Sequence, residues 1–532
     1  MNNNKVDSTK FHTLEANYQR PLFTLDESTA NSIKTKLYAL YGEKKGNSIF
    51  PEFKRIISVY YAYKTDEMIA WEQSSNPEDR FSEKDVILIT YGDLIKDGHN
   101  KPLEILMDIC DTYLQGVFNT IHILPFFPYS SDRGFSITDF RQVDGNLGKW
   151  EDILKLKKHF KLMFDGVFNH ISAKSFWFQE FLNGNPEFAD FFTSFSEVKK
   201  ISKNKIRKLM RPRTCDVLTA FNTYRGKKLV WTTFSPDQVD LKFQNPQVLL
   251  KMTEIMLYYI RRGADILRLD AVTYLWDELG TTGAHLWQTH TIIKLFREIL
   301  NAVAPHVALI TETNVPHSDN ITYFGNGTDE AQMIYNFALP PLVLHTIQTG
   351  NATKLTNWAK TLKNPSDSAT FFNFLDSHDG IGVLGAKGIL SDDEINTMAK
   401  KVIEHGGYIS YKRNEDGSDS PYELNITSFS AINNENIDEP IELKIQRYLA
   451  ARSITLVIIG VPGVYLHGLI GSLNDVESIK QGLEKRTINR NILNKNDLIQ
   501  AIEDTSSVTH RVSTKLTKLI YKRILQKAFH PQ

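Results

Sequence analysis

The stretch Asp265-Ile-Leu-Arg-Leu-Asp-Ala-Val272 indicates the fold most clearly. Its apolar residues form a short run that is typical of a strand buried on both faces, and Arg268 and Asp270 stand at the end of that run. Segments with helical spacing of apolar residues flank it, over 246–261 and 286–303. We therefore predict that 265–269 is one strand of a parallel sheet built from βα units.

Seven other apolar runs have the same character and alternate with amphipathic segments. The eight predicted strands are 86–90, 120–124, 162–167, 265–269, 308–311, 333–337, 370–375 and 456–464. Eight strands separated by helices favour a (β/α)₈ TIM barrel over an open doubly wound sheet. This is the fold class that we predict.

The predicted barrel covers 85–168 and 264–475. The rest of the chain is predicted to form additional segments around it. Residues 1–84 are predicted as a helical N-terminal extension, with helices over 29–42 and 50–63. Residues 169–263 are too many for a βα loop and predict an inserted subdomain B after strand 3. The polar run 414–421 predicts a long, mobile active-site loop between strands 7 and 8. Residues 476–532 form a C-terminal segment, predicted to be helical over about 507–527.

Composition excludes several classes of function. The 62 lysines and arginines balance the 62 aspartates and glutamates, so a nucleic-acid partner is not expected. Two cysteines, Cys110 and Cys215, are too few for a disulfide framework or a four-cysteine metal site, and no other metal site is evident. The most apolar window, 454–471, contains Pro462 and His467 and is shorter than the ~20 residues of a membrane helix. With no apolar leader at residues 1–7, we expect a cytoplasmic enzyme without a membrane partner, whose oligomeric state the sequence leaves open.

Four predicted strands end in a carboxylate, at Asp165, Asp270, Glu312 and Asp379. Each alone has a structural explanation, such as an ion pair or a helix start. Together, at the carboxyl ends of successive barrel strands, they predict one site, because burying unpaired carboxylates is costly. A retaining glycosidase needs two carboxylates about 5 Å apart, one as nucleophile and one as acid/base. An arginine two residues before the nucleophile would hold it ionised.

These strand ends resemble the four signature regions of the α-amylase superfamily (glycoside hydrolase family 13). The matching residues are Asp165 with Asn169 and His170, Arg268 with Asp270, Glu312, and His378 with Asp379, and the resemblance covers about 85–495. It implies that Asp270 is the nucleophile, Glu312 the general acid/base and Asp379 the transition-state stabiliser. It further implies that a bound glucosyl unit is supported by Arg268, His170 and His378.

Other stretches are more similar to the sucrose phosphorylase and glucosylglycerate phosphorylase branch of this superfamily. They include Leu88-Ile-Thr-Tyr91, His122-Ile-Leu-Pro-Phe126, Ser131-Asp-Arg-Gly-Phe135 and Val230-Trp-Thr-Thr-Phe234. The resemblance implies that Asp132 and Phe135 wall a glucose pocket and that Arg490 clamps glucose hydroxyls. It also implies that phosphate or acceptor is contacted by Arg213, Arg211 and Tyr422. For the two arginines, a solvated basic patch is the alternative, because a run of lysines and arginines precedes them.

The implied activity is a retaining phosphorylase of the hexosyltransferase type. It would transfer glucose from a small α-glucoside to inorganic phosphate through a covalent β-glucosyl-aspartate, with phosphate as co-substrate and no cofactor. Residues 313–325 and 414–425 are more similar to phosphorylases that act on 2-O-α-glucosylglycerate or glucosylglycerol. We favour 2-O-α-glucosylglycerate as the donor, with sucrose phosphorylase or glucosylglycerol phosphorylase as the alternative. Glycerate is anionic, so an extra cation near the acceptor is expected, and the candidates are Arg133, His317 and Lys412.

Two further alternatives stay open. One is an α-glucoside hydrolase or transglucosylase, and the other is an inactive relative that binds sugar. The three carboxylates Asp270, Glu312 and Asp379 argue against the inactive relative, since they are all present. Members of the branch normally continue into a small β-rich C-terminal domain, and we expect this domain to be truncated or missing here.

Overall fold

A computed structural model describes residues 12–196 and 202–531, and its centre is a closed barrel of eight parallel strands. Each strand pairs with its neighbours in chain order, and the last closes on the first with Gly463 opposite Ile87. The predicted (β/α)₈ barrel is therefore confirmed. We number its strands β1 (Ile87–Thr90), β2 (Thr120–Ile123), β3 (Lys161–Gly166), β4 (Ala264–Leu269), β5 (Ala308–Thr311), β6 (Met333–Tyr335), β7 (Thr370–Phe374) and β8 (Val461–Tyr465).

The strands are almost entirely buried, which explains their continuous apolar runs. The predicted eighth strand, 456–464, is wrong at its start, because residues 456 and 457 end the helix Ile441–Val457. The apolar run there joins the end of a helix to a strand. Periodicity alone does not separate two elements that are both buried.

Helices surround the barrel on the outside. Those that follow β1 to β5 are Pro102–Ile109, which continues as a π-helical turn Cys110–Leu114, then Trp150–Lys157, Pro246–Arg261, Trp287–Val303 and His317–Asn320 with the 3₁₀ turn Ile321–Phe324. Those that follow β6 and β7 are Leu339–Thr349, Thr353–Ala359, Asp392–Glu404, Ser428–Ile432 and Ile441–Val457. Short 3₁₀ turns lie at Asp132–Gly134, Val272–Tyr274 and Leu384–Ala386.

The described part of the N-terminal segment, from residue 12, is helical as predicted. Its helices are Glu27–Tyr41, Glu43–Ala62 and Asp66–Ser74, followed by the 3₁₀ turn Pro77–Arg80. The first two pack on Trp287–Val303 and Pro246–Arg261, so the segment lies against the outer helices of the barrel. Residues 1–11 lie outside the described residues.

The insertion after β3 is shorter than predicted. It contains the antiparallel pair His170–Ser172 and Gln238–Asp240, a sheet of Ser194–Phe195, Leu218–Thr223 and Gly226–Trp231, and the helices Phe176–Asn183 and Lys203–Arg207. The helix Pro246–Arg261 contacts β4 and belongs to the barrel. The predicted boundary at 263 therefore falls too late, because that helix serves the barrel and not the insertion.

The polar run predicted as a long loop between β7 and β8 is instead part of a β-hairpin. Strand Asp419–Asn425 pairs with Tyr408–Arg413 and with Ile381–Gly382. Only five residues, 414–418, connect the two long strands, and Gly417 has the positive φ of 88° that such a turn favours. The polar residues are typical of a hairpin turn as much as of a loop, which is why the prediction was wrong.

The chain after β8 is mainly helical. It contains Leu466–Leu469, Val476–Lys480, the 3₁₀ turn Lys485–Asn489, Lys495–Glu503, Val508–Ile524 and the 3₁₀ turn Lys527–Phe529. Strand Leu493–Asn494 pairs with Ile95–Lys96 near the barrel. The predicted helix over 507–527 is confirmed as Val508–Ile524. Among the described helices, none combines the length and apolar character needed to span a bilayer.

Candidate active site

A pocket lies at the carboxyl ends of the barrel strands, where the predicted catalytic carboxylates meet. It encloses about 570 Å³ of empty space, including solvent at its opening. The lining residues are Asp132, Phe135, His170, Arg213, Phe234, Gln238, Asp270, Ala271, Thr273, Tyr274, Glu312, Asn314, His378, Asp379, Tyr422 and Arg486.

Asp270 follows β4 and is fixed by the arginine two residues before it. Nη1 of Arg268 lies 2.7 Å from Oδ1 of Asp270, and it also donates to Asp165. The other oxygen of Asp165 lies 2.8 Å from Nε2 of His122. Because Arg268 occupies Oδ1 of Asp270, Oδ2 is the oxygen left to react.

Glu312 follows β5 and accepts a hydrogen bond from the backbone of the neighbouring strand end. The N–H of Ala271 donates to Oε2 of Glu312 at 3.0 Å. Ala271 has a φ of 48°, a left-handed conformation that is uncommon for a residue with a side chain. Ala271 immediately follows Asp270, so its N–H ties the orientation of Glu312 to the position of Asp270.

Asp270 and Glu312 titrate as a coupled pair. Burial raises the pKa of each to about 7, and the charge on Asp270 opposes ionisation of Glu312. Arg268 lies 2.7 Å from Asp270 but 3.9 Å from Glu312. Because the closer cation stabilises a carboxylate more, Asp270 ionises first and Glu312 keeps the proton.

Asp379 follows β7 and is held by two arginines. Nη1 of Arg486 lies 2.6 Å from Oδ1 of Asp379, and Nη2 of Arg490 lies 3.3 Å from the same oxygen. Burial opposes the charge on Asp379, but Arg486 and Arg490 outweigh it and hold the pKa below its usual value. Asp379 is therefore ionised at neutral pH.

One wall of the pocket is aromatic and polar, as needed for a sugar ring. The ring of Phe135 stacks on His378 at 4.8 Å between centroids and 6° between planes. Gln238 Nε2 lies 3.3 Å from Asp132 Oδ2 and 3.3 Å from His170 Nε2. Burial lowers the pKa of His170 and that of His378, so both stay neutral donors and acceptors.

A second wall of the pocket is cationic. It is formed by the insertion after β3, the hairpin after β7 and the segment after β8. The guanidinium of Arg213 lies 5.5 Å from the ring centroid of Tyr422. Glu423, next to Tyr422, accepts two hydrogen bonds from Arg486, at 2.9 and 2.7 Å, and a third from the N–H of Gly380 at 2.8 Å. Arg213 Nη1 lies 3.9 Å from the same carboxylate. Glu423 therefore holds Arg486 and lies beside Arg213.

Most of the predicted site residues line this pocket, and three do not. Arg268 lies beneath it, bound to Asp165 and Asp270. Arg490 lies behind it, bound to Asp132, to Asp379 and to the carbonyl of His378, so the predicted direct clamp on glucose is not what its contacts show. Arg211 pairs through its backbone with Arg413 and is absent from the lining, so its predicted contact with phosphate is not supported.

The three cations predicted for an anionic acceptor lie outside this pocket. Arg133 donates to the carbonyl of Arg490 and to Asp93. His317 packs edge-on against Trp358, and Lys412 donates to Asn414 at 2.7 Å within the hairpin. None of these three lines the pocket. The cations that do line the pocket are Arg213 and Arg486.

Sequence reasoning missed Arg486, Gln238, Tyr274 and Asn314, all of which line the pocket. Arg486 had a local signal, because it stands four residues before the predicted site residue Arg490. Gln238 follows the stretch Val230–Phe234 by four residues and Asn314 lies inside 313–325, although neither was chosen as a site residue. Tyr274 had no signal, since an aromatic residue after a strand is more often part of a core.

Comparison with known proteins gives the family. The family model of the alpha amylase catalytic domain matches residues 110–415, more than half of the chain. The chain belongs to the α-amylase family. This α-amylase family member is 45% identical to the glucosylglycerate phosphorylase of Allomeiothermus silvanus over 508 residues, which cover 96% of the chain and 88% of the relative.

Two other matches of this α-amylase family member are more distant. It is 31% identical to the sucrose phosphorylase of Agrobacterium vitis, over 79% of the chain and 84% of the relative. Among solved structures it is similar to sucrose 6F-phosphate phosphorylase from Thermoanaerobacter thermosaccharolyticum. That match has a TM-score of 0.72 and 28% identity, and it covers 83% of this chain and 87% of the other.

Proposed function

We propose that this chain is a retaining glucosylglycerate phosphorylase, which transfers glucose from 2-O-α-glucosylglycerate to inorganic phosphate. The observation that carries the proposal is the presence of Arg213 in the same pocket as the catalytic carboxylates Asp270, Glu312 and Asp379. Arg486 lines the pocket as well, but it is already bound to Asp379 and Glu423. Both the leaving glycerate and the incoming phosphate are anions, whereas a hydrolase needs no anion site. The fork of an arginine side chain is well suited to carboxylate and phosphate.

In the first step Asp270 attacks the anomeric carbon through Oδ2 and forms a β-glucosyl ester. The bond from that carbon to the glycerate oxygen breaks, and Glu312 gives its proton to that oxygen. Asp379 is ionised between Arg486 and Arg490, and it stabilises the positive charge that develops on the sugar. His170, His378, Asp132 and Phe135 bind the glucosyl unit.

In the second step phosphate takes the place of glycerate. Glu312, now deprotonated, accepts a proton from a phosphate hydroxyl as the phosphate oxygen attacks the anomeric carbon. The ester bond to Asp270 breaks and the carboxylate is restored. Two inversions give net retention, so the product is α-glucose 1-phosphate.

The relatives support glycerate as the acceptor over fructose. Identity is 45% to the glucosylglycerate phosphorylase of A. silvanus and 31% to the sucrose phosphorylase of A. vitis. Phosphate serves as co-substrate, and the proposed chemistry needs no other cofactor. We also propose a cytoplasmic location, which the two unpaired cysteines support, since a reducing compartment keeps thiols free.

The test is the release of glucose 1-phosphate from glucosylglycerate, glucosylglycerol and sucrose, each with phosphate. We expect turnover of glucosylglycerate that depends on phosphate. Free glucose released at a rate independent of phosphate would show a hydrolase, and faster turnover of sucrose or glucosylglycerol would assign a different acceptor. No product from a well-folded sample would show an inactive sugar-binding relative.

Two variants test the assigned roles. Asp270→Asn should abolish turnover of every donor, because no other carboxylate can form the ester. Glu312→Gln should slow glucosylglycerate much more than α-glucosyl fluoride, whose leaving group needs no protonation. Normal activity of Asp270→Asn would contradict the assignment.

A further inference from the structure

A large cavity lies at the amino end of the barrel, opposite the carboxylates of the active site. It encloses about 1630 Å³ of empty space, including solvent at its opening. Its floor includes the starts of six barrel strands, with Ile87, Asn119, Lys161, Ile266, Ala308 and Val461 among the lining residues. Its outer wall is the N-terminal segment from Trp71 to Phe81. The cavity is therefore formed jointly by the barrel and the N-terminal helices.

The cavity carries an excess of positive charge in a chain whose formal net charge is zero. Its lining has three carboxylates, Asp79, Asp85 and Asp265, and four cations, Arg80, Lys157, Lys158 and Lys161. Lys157 pairs with Asp265, and Lys161 lies 2.9 Å from Asp85. These pairs neutralise two of the carboxylates and leave two cations, Arg80 and Lys158, and one carboxylate, Asp79, without an ion pair within 12–196 and 202–531.

A neighbouring pocket continues the positive character. It shares Trp71, Lys157, Asp265 and His306 with the cavity and adds Arg261 and Arg262 to its lining. The guanidinium of Arg261 lies 4.1 Å from the ring centroid of Tyr63, and that of Arg262 lies 5.3 Å from that of Trp150. Both thus lie near aromatic rings, and neither forms an ion pair with a carboxylate among the described residues.

Arg80 gives the sharpest sign of a missing partner. Its Nη2 donates to the carbonyl of Pro305 at 2.7 Å, but its Nε is buried and has no hydrogen-bond partner. A buried N–H without an acceptor is costly, and the cost is larger for a charged group. An anion bound in the cavity would instead meet Nη1 of Arg80, which has no hydrogen-bond partner among the described residues and is not among the buried atoms.

We propose that this cavity binds a small organic phosphate that carries a planar ring, such as a nucleoside monophosphate. Arg80 and Lys158 would receive the phosphate. Trp71 is also in the lining and offers a ring against which a planar group can pack, whereas Phe81 and Phe160 are almost fully buried. The ligand would contact the N-terminal segment on one side and the barrel on the other, and so would hold the two together.

The test is isothermal titration calorimetry of the full chain with AMP, with adenosine as a partial probe. We expect AMP to bind more tightly than adenosine. Lys158→Glu and Arg80→Gln should each weaken AMP binding by about tenfold or more. Lys158 is exposed, so its variant will fold even if Arg80→Gln does not.

Two control variants separate this cavity from other anion sites. Arg55→Gln removes an exposed cation on the helix Glu43–Ala62, away from the cavity, and Arg213→Gln removes the cation of the active site. Both should bind AMP as the unmodified chain does. No binding of AMP, equal binding by Lys158→Glu and the unmodified chain, or loss of binding in Arg213→Gln would overturn the proposal.

Discussion

Nη1 of Arg486 lies 2.6 Å from Oδ1 of Asp379, while Nε and Nη2 of the same side chain bind both oxygens of Glu423. One guanidinium thus joins the end of β7 to the hairpin that follows it. Because Glu423 fixes the fork of Arg486, the cation is presented to Asp379 in a single orientation. Arg486 is therefore a positioning residue for Asp379 as well as part of the pocket wall.

Replacing Arg486 by Gln should lower kcat by about 100-fold. The pKa of Asp379 is held down by Arg486 and Arg490, so losing Arg486 raises it. Ionised Asp270, whose pKa is about 7, sets the acidic limb of the pH–rate profile, so the loss of kcat should be seen at the pH optimum and should not be relieved by a change of pH. Steady-state kinetics across pH check this, with Arg55→Gln as the control. An unchanged kcat at the pH optimum would contradict the positioning role.

The unmodified chain should lose activity as pH rises through about 7. Glu312 must carry a proton to release glycerate, and burial raises its pKa to about 7. The profile of kcat/KM should be bell-shaped, since ionised Asp270 is needed as well. Initial rates of phosphorolysis from pH 5 to 9 test this expectation, and a constant rate up to pH 9 would refute it.

Glu312→Gln should be more stable than the unmodified chain above neutral pH. A carboxyl whose pKa is raised by folding contributes stability below its unfolded pKa of about 4.3, and this contribution is lost as pH rises through about 7. A glutamine side chain does not ionise, so the variant does not lose this stability as pH rises. The difference should be on the order of 1–3 kcal/mol at pH 8 and much smaller at pH 4.5. Thermal unfolding at both pH values measures it, and an equal difference at both would be the contrary result.

Arg213→Gln should raise the KM for phosphate by about tenfold or more, because a charge-assisted contact is worth about 1.5–3 kcal/mol. Arg211→Gln is the matched control, since Arg211 stands two residues away and does not line the pocket. The rate of hydrolysis should change little in either variant. If both substitutions raised the KM for phosphate equally, the general positive charge of this region would be responsible and not a specific contact of Arg213.

The fold and the catalytic carboxylates could be predicted because their signals are local. A buried parallel strand is a short apolar run, and a residue such as Asp270 follows that run directly in the sequence. The N-terminal helices were predicted for the same reason, from spacing within 15 to 20 residues.

The rest depends on contacts between distant parts of the chain. Arg486 and Glu423 are 63 residues apart, and no periodicity links them. Arg133 and Lys412 were reasonable candidates for an acceptor cation by sequence position, yet their side chains are used by Asp93 and Asn414. Whether a cation is free for a ligand is decided by its partners in space, which a single sequence does not give.

The two walls of the pocket have different origins, and this has a consequence for how such enzymes change over time. The carboxylates belong to strand ends of the barrel, whereas Arg213 and Tyr422 belong to the insertions after β3 and β7. Substitutions in the insertions can exchange one acceptor for another while the bond-breaking machinery stays intact. Arg486 limits such substitutions, because it contacts both Asp379 at the strand end and Glu423 in the hairpin. A change at Arg486 would therefore affect both walls.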